Sequence, residues 1–152
     1  MRVASYEWRD PAAMEAPLPV APGATLLPGP TDLMRRARVV LRGRAPDDRR
    51  RLALFESDAA LDEVAKYYAA ALGGGSGAPA TVVRSAGDFA RDEATLAPLL
   101  GKLGQPFTPG AKGPYLGVEI TAPGRPRVSL QRPYRDFVAD RIVDRTLIVV
   151  SD

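Results

Sequence analysis

The sequence predicts an α+β fold: a mainly antiparallel sheet of about five or six strands, packed by one main helix and one short helix, with an extended proline-rich N-terminal arm. Three observations lead to this expectation. Several short segments alternate apolar and polar residues, or are apolar throughout, between glycine and proline turns, as half-buried and buried strands do. The stretch 57–72 repeats its apolar residues at the spacing of one helical face. No internal repeat at a period of 20 to 50 residues is present, so neither a solenoid nor a propeller is indicated. With 152 residues, 45% of them hydrophobic, the chain has material for one compact core and little more.

The arm is assigned to residues 1–32 and the domain to residues 33–152. Six prolines (Pro11, Pro17, Pro19, Pro22, Pro28 and Pro30) fix φ and remove backbone donors, so an extended, polyproline-like path is expected there. Residues 36–44 alternate, which predicts a strand carrying Arg36, Arg38, Arg42 and Arg44 on one face. The turn "GRAPDD" then returns the chain through Leu52–Phe55, apolar on both faces.

The main helix is expected over "SDAALDEVAKYYAAAL". Ser57 or Asp58 is the candidate cap, Asp62 and Glu63 sit at the positive end of the helix dipole, and Leu61, Val64, Tyr68 and Leu72 form the apolar stripe. "GGGSG" ends it with a candidate left-handed cap. Because these glycines follow a helix and lack the lysine and hydroxyl of a phosphate loop, they are not read as a phosphate cradle. "APATVVRS" is a strand. Residues 86–104 begin with an acidic piece and end in a short helix bearing Leu96, Leu99, Leu100 and Leu103, and 105–114 is loop.

"YLGVEITAPGRPRVSLQ" is the clearest hairpin. A three-residue turn with Gly124 at positive φ would pair Val118 with Val128 and Leu116 with Leu130, with Glu119 opposite Arg127. "TLIVV" closes the chain as a strand buried on both faces.

Composition removes whole classes of chemistry. The chain has no histidine and no cysteine, so a zinc finger, a Cys or His metal site, a thiolate nucleophile and a histidine triad are excluded. No cofactor and no metal is expected. The net charge is +3; of 21 basic residues three are lysines, leaving 18 arginines. That bias most simply reflects a GC-rich coding sequence, and the charge excess is mild for a nucleic-acid binder. No run reaches the roughly 18 to 20 apolar residues that span a bilayer, and the N-terminus lacks the apolar segment of a secretory signal. A cytoplasmic location follows if Met1 is the native start, with peripheral attachment to a membrane complex; export is the alternative if Met1 replaces a removed leader.

Candidate sites follow from what remains. The arm supplies partner-binding anchors: Tyr6, Trp8, Leu18, Val20, Leu26 and Leu27. The arginine row supplies an anionic-surface candidate, with an acidic protein or a membrane surface ranked above nucleic acid because no aromatic platforms interleave the charges. An acid–base enzyme would rest on Asp88, Asp92, Glu93 and Tyr115, although nothing in the sequence forces one of these carboxylates into apolar surroundings. Arg132 and Arg135 in "RPYRD" are a candidate anion clamp, set against a sheet edge with a local Arg–Asp pair.

Together "PGA" (Pro22–Ala24), the helix motif D-E-V-x-x-Y-Y (Asp62–Tyr68) and the closing "TLIVV" (Thr146–Val150) resemble small bacterial α+β accessory domains of unassigned function, over residues 22–150. The resemblance implies a non-catalytic, often secreted or lipid-anchored role, and it transfers no functional residue. "GGGSGAPA" departs from it, since Gly-Trp tends to follow the helix in that pattern. The expected function is therefore a non-enzymatic accessory or structural subunit of a larger bacterial assembly, docked on another protein through the arm and the arginine face.

Overall fold

A computed structural model describes residues 20–21, 23–42, 52–73, 79–105, 116–123 and 125–151, with side chains at all of these but 35, 37–42 and 86. Its elements run β1 (Thr25–Leu26), α1 (Pro28–Arg42), β2 (Leu52–Ser57), α2 (Leu61–Leu72), β3 (Ala80–Arg84), α3 (Ala86–Lys102), β4 (Leu116–Thr121), β5 (Arg127–Arg132), β6 (Tyr134–Asp136), β7 (Arg141–Val143) and β8 (Thr146–Ser151). Six strands form one sheet in the order β1-β2-β8-β5-β4-β3, every neighbouring pair antiparallel, and β6 and β7 form a separate two-stranded ribbon. The fold is α+β, as expected. Among the described residues no helix is long and apolar enough to cross a membrane.

The strand alternation sorts the sheet into two faces. Phe55, Ile120, Val128, Leu130, Ile148 and Val150 point one way, onto Val64, Tyr68 and Leu72 of α2, and form the main core. Each such side chain stabilises the fold by about 1.5–3 kcal/mol when fully buried. The opposite face is covered by α1 and α3, which meet through a second, smaller cluster of Leu33 and Leu100 with Met34, Leu96, Leu103 and Phe137. Strand β8 lies between these layers: Thr146, Ile148 and Val150 are buried, while Leu147 and Val149 on its other face are half-buried.

The structure corrects several expectations. Residues 28–42 form a helix, and the strand expected over 36–44 does not exist; residues 43–51 lie outside the described set. Pro28 and Pro30 fall in the first turn, where a missing N–H costs no helical hydrogen bond, so prolines that suggested an arm instead open a helix. The domain thus begins before residue 33. Thr25 and Leu26 pair with Glu56 and Phe55, and Thr31 is buried, its hydroxyl accepting from Leu54 N–H at 3.0 Å and donating to Leu54 C=O at 3.3 Å.

Residues 86–102 are one continuous 17-residue helix. Its start is fixed by a capping box in which the Ser85 hydroxyl accepts from Asp88 N–H while the Asp88 carboxylate accepts from Ser85 N–H. Pro98 lies inside this helix on its exposed side. Neither Ser57 nor Asp58 caps α2: Ala60 occupies the cap without a side-chain bond, and Ser57 Oγ accepts from Ala59 N–H instead. Gly73 ends α2 in a right-handed conformation at φ −77°, not a left-handed one.

In the β4–β5 hairpin Val118 faces Leu130 and Ile120 faces Val128, two residues from the expected register. The loop is longer by two residues, so the same side chains stay on the buried face, as a period of two demands. Glu119 still reaches Arg127, now diagonally, at 3.5 Å.

Candidate functional site

The arginine row is not carried by a strand. Arg36, Arg38 and Arg42 belong to α1, where successive positions turn by about 100°, so residues two apart do not share a face. Arg36 pairs with Asp32 one turn earlier at 3.1 Å, and Arg44 lies outside the described residues. Of the arm anchors, Tyr6, Trp8 and Leu18 also lie outside them. Val20 is exposed, and its carbonyl accepts from the Tyr67 hydroxyl at 3.4 Å. Leu26 packs on the main core and Leu27 N–H donates to Leu54 C=O at 2.8 Å, so both are used inside the domain.

Arg132 and Arg135 do not form a clamp either. Arg132 staples the end of β5 to the loop before α2, donating to the carbonyls of Asp58 (3.2 Å) and Ala59 (3.0 Å), and pairs with Asp144 at 3.3 Å. Arg135 is held by Asp140 at 2.8 Å and by Glu93 at 3.4 Å.

Among the described residues, a concave site lies where the two faces of the sheet differ. Helix α2 seals its face, but α1 and α3 cover theirs incompletely, leaving a cleft of about 240 Å³. Its floor is the sheet: Leu54 of β2, Leu147 and Val149 of β8, Ser129 and Gln131 of β5. The small Ser129, placed beside Val149 and Glu119 in the ladder, leaves space that a larger side chain would fill. Phe89, Glu93 and Leu96 of α3 form one wall, at helical spacings of four and three, and Met34 of α1 and Phe137 after β6 close the others.

Position 117 sets how closely α3 approaches. A Cβ on Gly117 would stand 2.3 Å from Phe89 Cζ and 3.1 Å from Leu130 O, so only glycine lets the Phe89 ring come this close to the sheet. Arg84 then stacks over that ring, its Cζ 4.7 Å from the centroid, and reaches Asp92 at 2.6 Å. This pair stands at the more exposed end of the cleft. The second ion pair is deeper: the Glu93 side chain is 9% exposed and that of Arg135 11%. Glu93 is therefore buried, contrary to the expectation that no carboxylate here sits in apolar surroundings. Buried charges persist when paired, and Arg135 provides that pairing.

Two of the three carboxylates singled out as catalytic candidates, Asp92 and Glu93, both line the cleft, Asp92 paired with Arg84 and Glu93 with Arg135. Asp88 does not join them. It is part of the capping box, where bonds from Ser85 and the neighbouring Arg91 and Arg84 charges hold its carboxyl below the usual range. Tyr115 lies outside the described residues.

Ser129, Gln131 and Arg84 were missed in the sequence, although alternation puts Ser129 and Gln131 on the polar side of the Val128–Leu130 strand. Among the described residues, neither the Ser129 hydroxyl nor the Gln131 amide is bonded to another side chain or to the backbone. Among the described residues, the site therefore combines apolar side chains, two ion pairs and two uncharged polar groups. Among the described residues no group of three or more Asp or Glu side chains is arranged to hold a metal ion. No family model, curated protein or solved structure matches this chain.

Proposed function

We propose that the chain is a non-enzymatic accessory domain that works by binding, with the cleft beneath α3, rather than a row of arginines, as its recognition site. The observation that supports this most is the state of the cleft's carboxylates. A general acid or base must be free to exchange its proton with a bound molecule, whereas Asp92 is held by Arg84 at 2.6 Å and Glu93 by Arg135 at 3.4 Å. Such pairs fix the shape and polarity of a pocket. A cavity of about 150 Å³ lined by apolar side chains takes up benzene, so about 240 Å³ suits a substituted ring or a short acyl chain.

The test is titration of the full chain with N-phenyl-1-naphthylamine, an uncharged dye whose fluorescence rises in apolar surroundings. Saturable one-to-one binding that disappears in Leu96→Trp, which narrows the cleft from the helix side, is the expected result. A rise that never saturates, or one indifferent to Leu96→Trp, overturns the reading.

A further inference from the structure

We infer that the outer edge of β3 is a contact between two copies of this chain: a second copy sets its own β3 antiparallel to this one across a twofold axis, so that the two six-stranded sheets continue into each other. The contact is separate from the cleft and does not depend on it. The two ends of the sheet differ. At one end β1 has two residues, and so short an edge offers little for another strand to pair with. At the other end β3 runs for five residues, Ala80–Arg84, in unbroken register with β4. A strand turns half of its N–H and C=O groups toward each side. Among the described residues β4 is the one strand beside β3, so the outward groups face no strand. Natural edges are guarded by lysine, proline or a bulge. The sequence of β3, ATVVR, has none of these, and its one charge, Arg84, closes the strand and is held by Asp92 at 2.6 Å.

The side chains point to the same occupant. Val83 lies opposite Val118, which packs on the main core, and so stands on the α2 side of the sheet; Val82 lies opposite Glu119 on the other side. Val82 is 59% exposed and Val83 76%, so apolar surface is bare on both sides of the edge, and Leu116, in the same row as Val118, adds to it at 62%. An occupant must therefore be extended, must carry apolar residues on both faces, and must itself be an unguarded edge; β3 of a second copy meets all three conditions. Antiparallel partners share a face, and an axis through Val82 keeps all five residues paired. It sets Val82 opposite the partner's Val82, Val83 opposite the partner's Thr81, and Arg84 opposite the partner's Ala80. The central pairs are then β-branched, the type favoured across strands. The two arginines stand four residues, about 13 Å, apart along the contact, so like charges do not meet. Five residues a side bury less than a standard interface, which makes the dimer weak and dependent on concentration.

Sedimentation equilibrium of the full chain is the test. The weight-average mass is expected to rise from one chain toward two, and no further, as concentration goes from about 1 μM to about 1 mM, the range in which a small interface associates. Val82→Lys sets two like charges face to face and removes the central apolar pair, so it should weaken association at least about tenfold. The chain has no cysteine of its own, so single-cysteine variants read the register. Val82→Cys puts two thiols at directly opposite positions and should oxidise to a linked dimer, whereas in Val83→Cys the thiols stand two residues, about 7 Å, out of step along the strand and should stay unlinked. Thermal unfolding checks that each variant is folded, and Val82→Cys keeps the test open if Val82→Lys is not. A mass that stays at one chain over the whole range, or climbs past two, overturns the inference. So does association indifferent to Val82→Lys, which would put the contact elsewhere, or Val83→Cys linking as fast as Val82→Cys.

Discussion

Thr31 shows how much one side chain can carry. Strand β1 has two residues and ends at Leu26, yet β2 continues with its Leu54 N–H and C=O facing inward. Leu27 N–H bonds the carbonyl at 2.8 Å, and the Thr31 hydroxyl, one turn into α1, serves both groups from a position 1% exposed. Thr31→Val preserves shape but leaves a buried N–H unpaired. It should destabilise the chain by about 1–3 kcal/mol, read as a fall in the urea midpoint at unchanged slope; no change would mean that water replaces the hydroxyl.

Two tyrosines make alkaline pH a probe of the core. Burial pushes the Tyr68 hydroxyl up to about 12, against the opposing effect of the Ala21 N–H that donates to it at 3.2 Å. Tyr134 shifts in the same direction, through burial and then through the bond its hydroxyl donates to Glu56 at 2.5 Å. An unfolded tyrosine loses its proton near pH 10. Above that pH the native chain holds protons that the unfolded chain has released, so stability is complete below about pH 10 and falls as pH rises toward 12, by up to about 1.4 kcal/mol per pH unit for each group. Thermal midpoints measured from pH 9 to 12 should decline, and Tyr68→Phe should flatten part of the decline. A profile that stays flat over that range contradicts the buried placement of both rings.

At the scale of elements, helix α3 depends on its first turn. It has a proline at position 98 and a large polar surface, so intrinsic propensity alone is a weak guarantee. The Ser85–Asp88 capping box supplies the start. Ser85→Ala should cost about 1 kcal/mol, and because α3 forms a wall of the cleft, hydrogen exchange should quicken first in its opening turn. Uniform exchange along α3 would show that packing of Phe89 and Leu100 holds the helix without the cap. The same element explains a misreading. The segment looked divided because charged residues dominate 86–95 and leucines dominate 96–103, yet Phe89, Glu93, Leu96 and Leu100 fall at spacings of four, three and four along one side of a single helix.

Helix α1 is the larger lesson of this kind. Nine residues of alternating arginine matched a strand, while the two prolines upstream matched an extended arm; both signals are local and both are compatible with a helix. The deciding contacts are distant: Leu33 and Met34 pack against Leu96, Leu100 and Phe137, more than sixty positions along the chain. Helix α2, by contrast, was legible because its stripe is both local and fully used, with Val64, Tyr68 and Leu72 at 3%, 0% and 0% exposure.

For the whole molecule, the sheet order separates β2 from β3 and brings β8 between β2 and β5. Strand β2 lies beside β8, and the crossing from β2 to β3 through α2 spans the whole width between them. Residues before α1 complete this arrangement: Ala21 is buried against α2 and Leu26 packs on the main core. Removing residues 1–27 should therefore destabilise the domain by about 4 kcal/mol, from lost apolar burial and β1 pairing, lowering Tm by about 10 °C for a chain of this size. An unchanged Tm would show that β1 contributes nothing to the fold.

Composition and periodicity by themselves determined the α+β class, the position of α2, most strand positions and the absence of imidazole and thiol chemistry, because each depends on residue identity or on spacing within about fifteen residues. Tertiary structure decided that 28–42 is a helix, that β4 and β5 pair two residues from the simplest register, and that Ser129, Glu93, Arg84 and Met34 surround one cavity. Those outcomes depend on which apolar faces meet across long stretches of chain, and a cavity is the space left between faces that do not quite close.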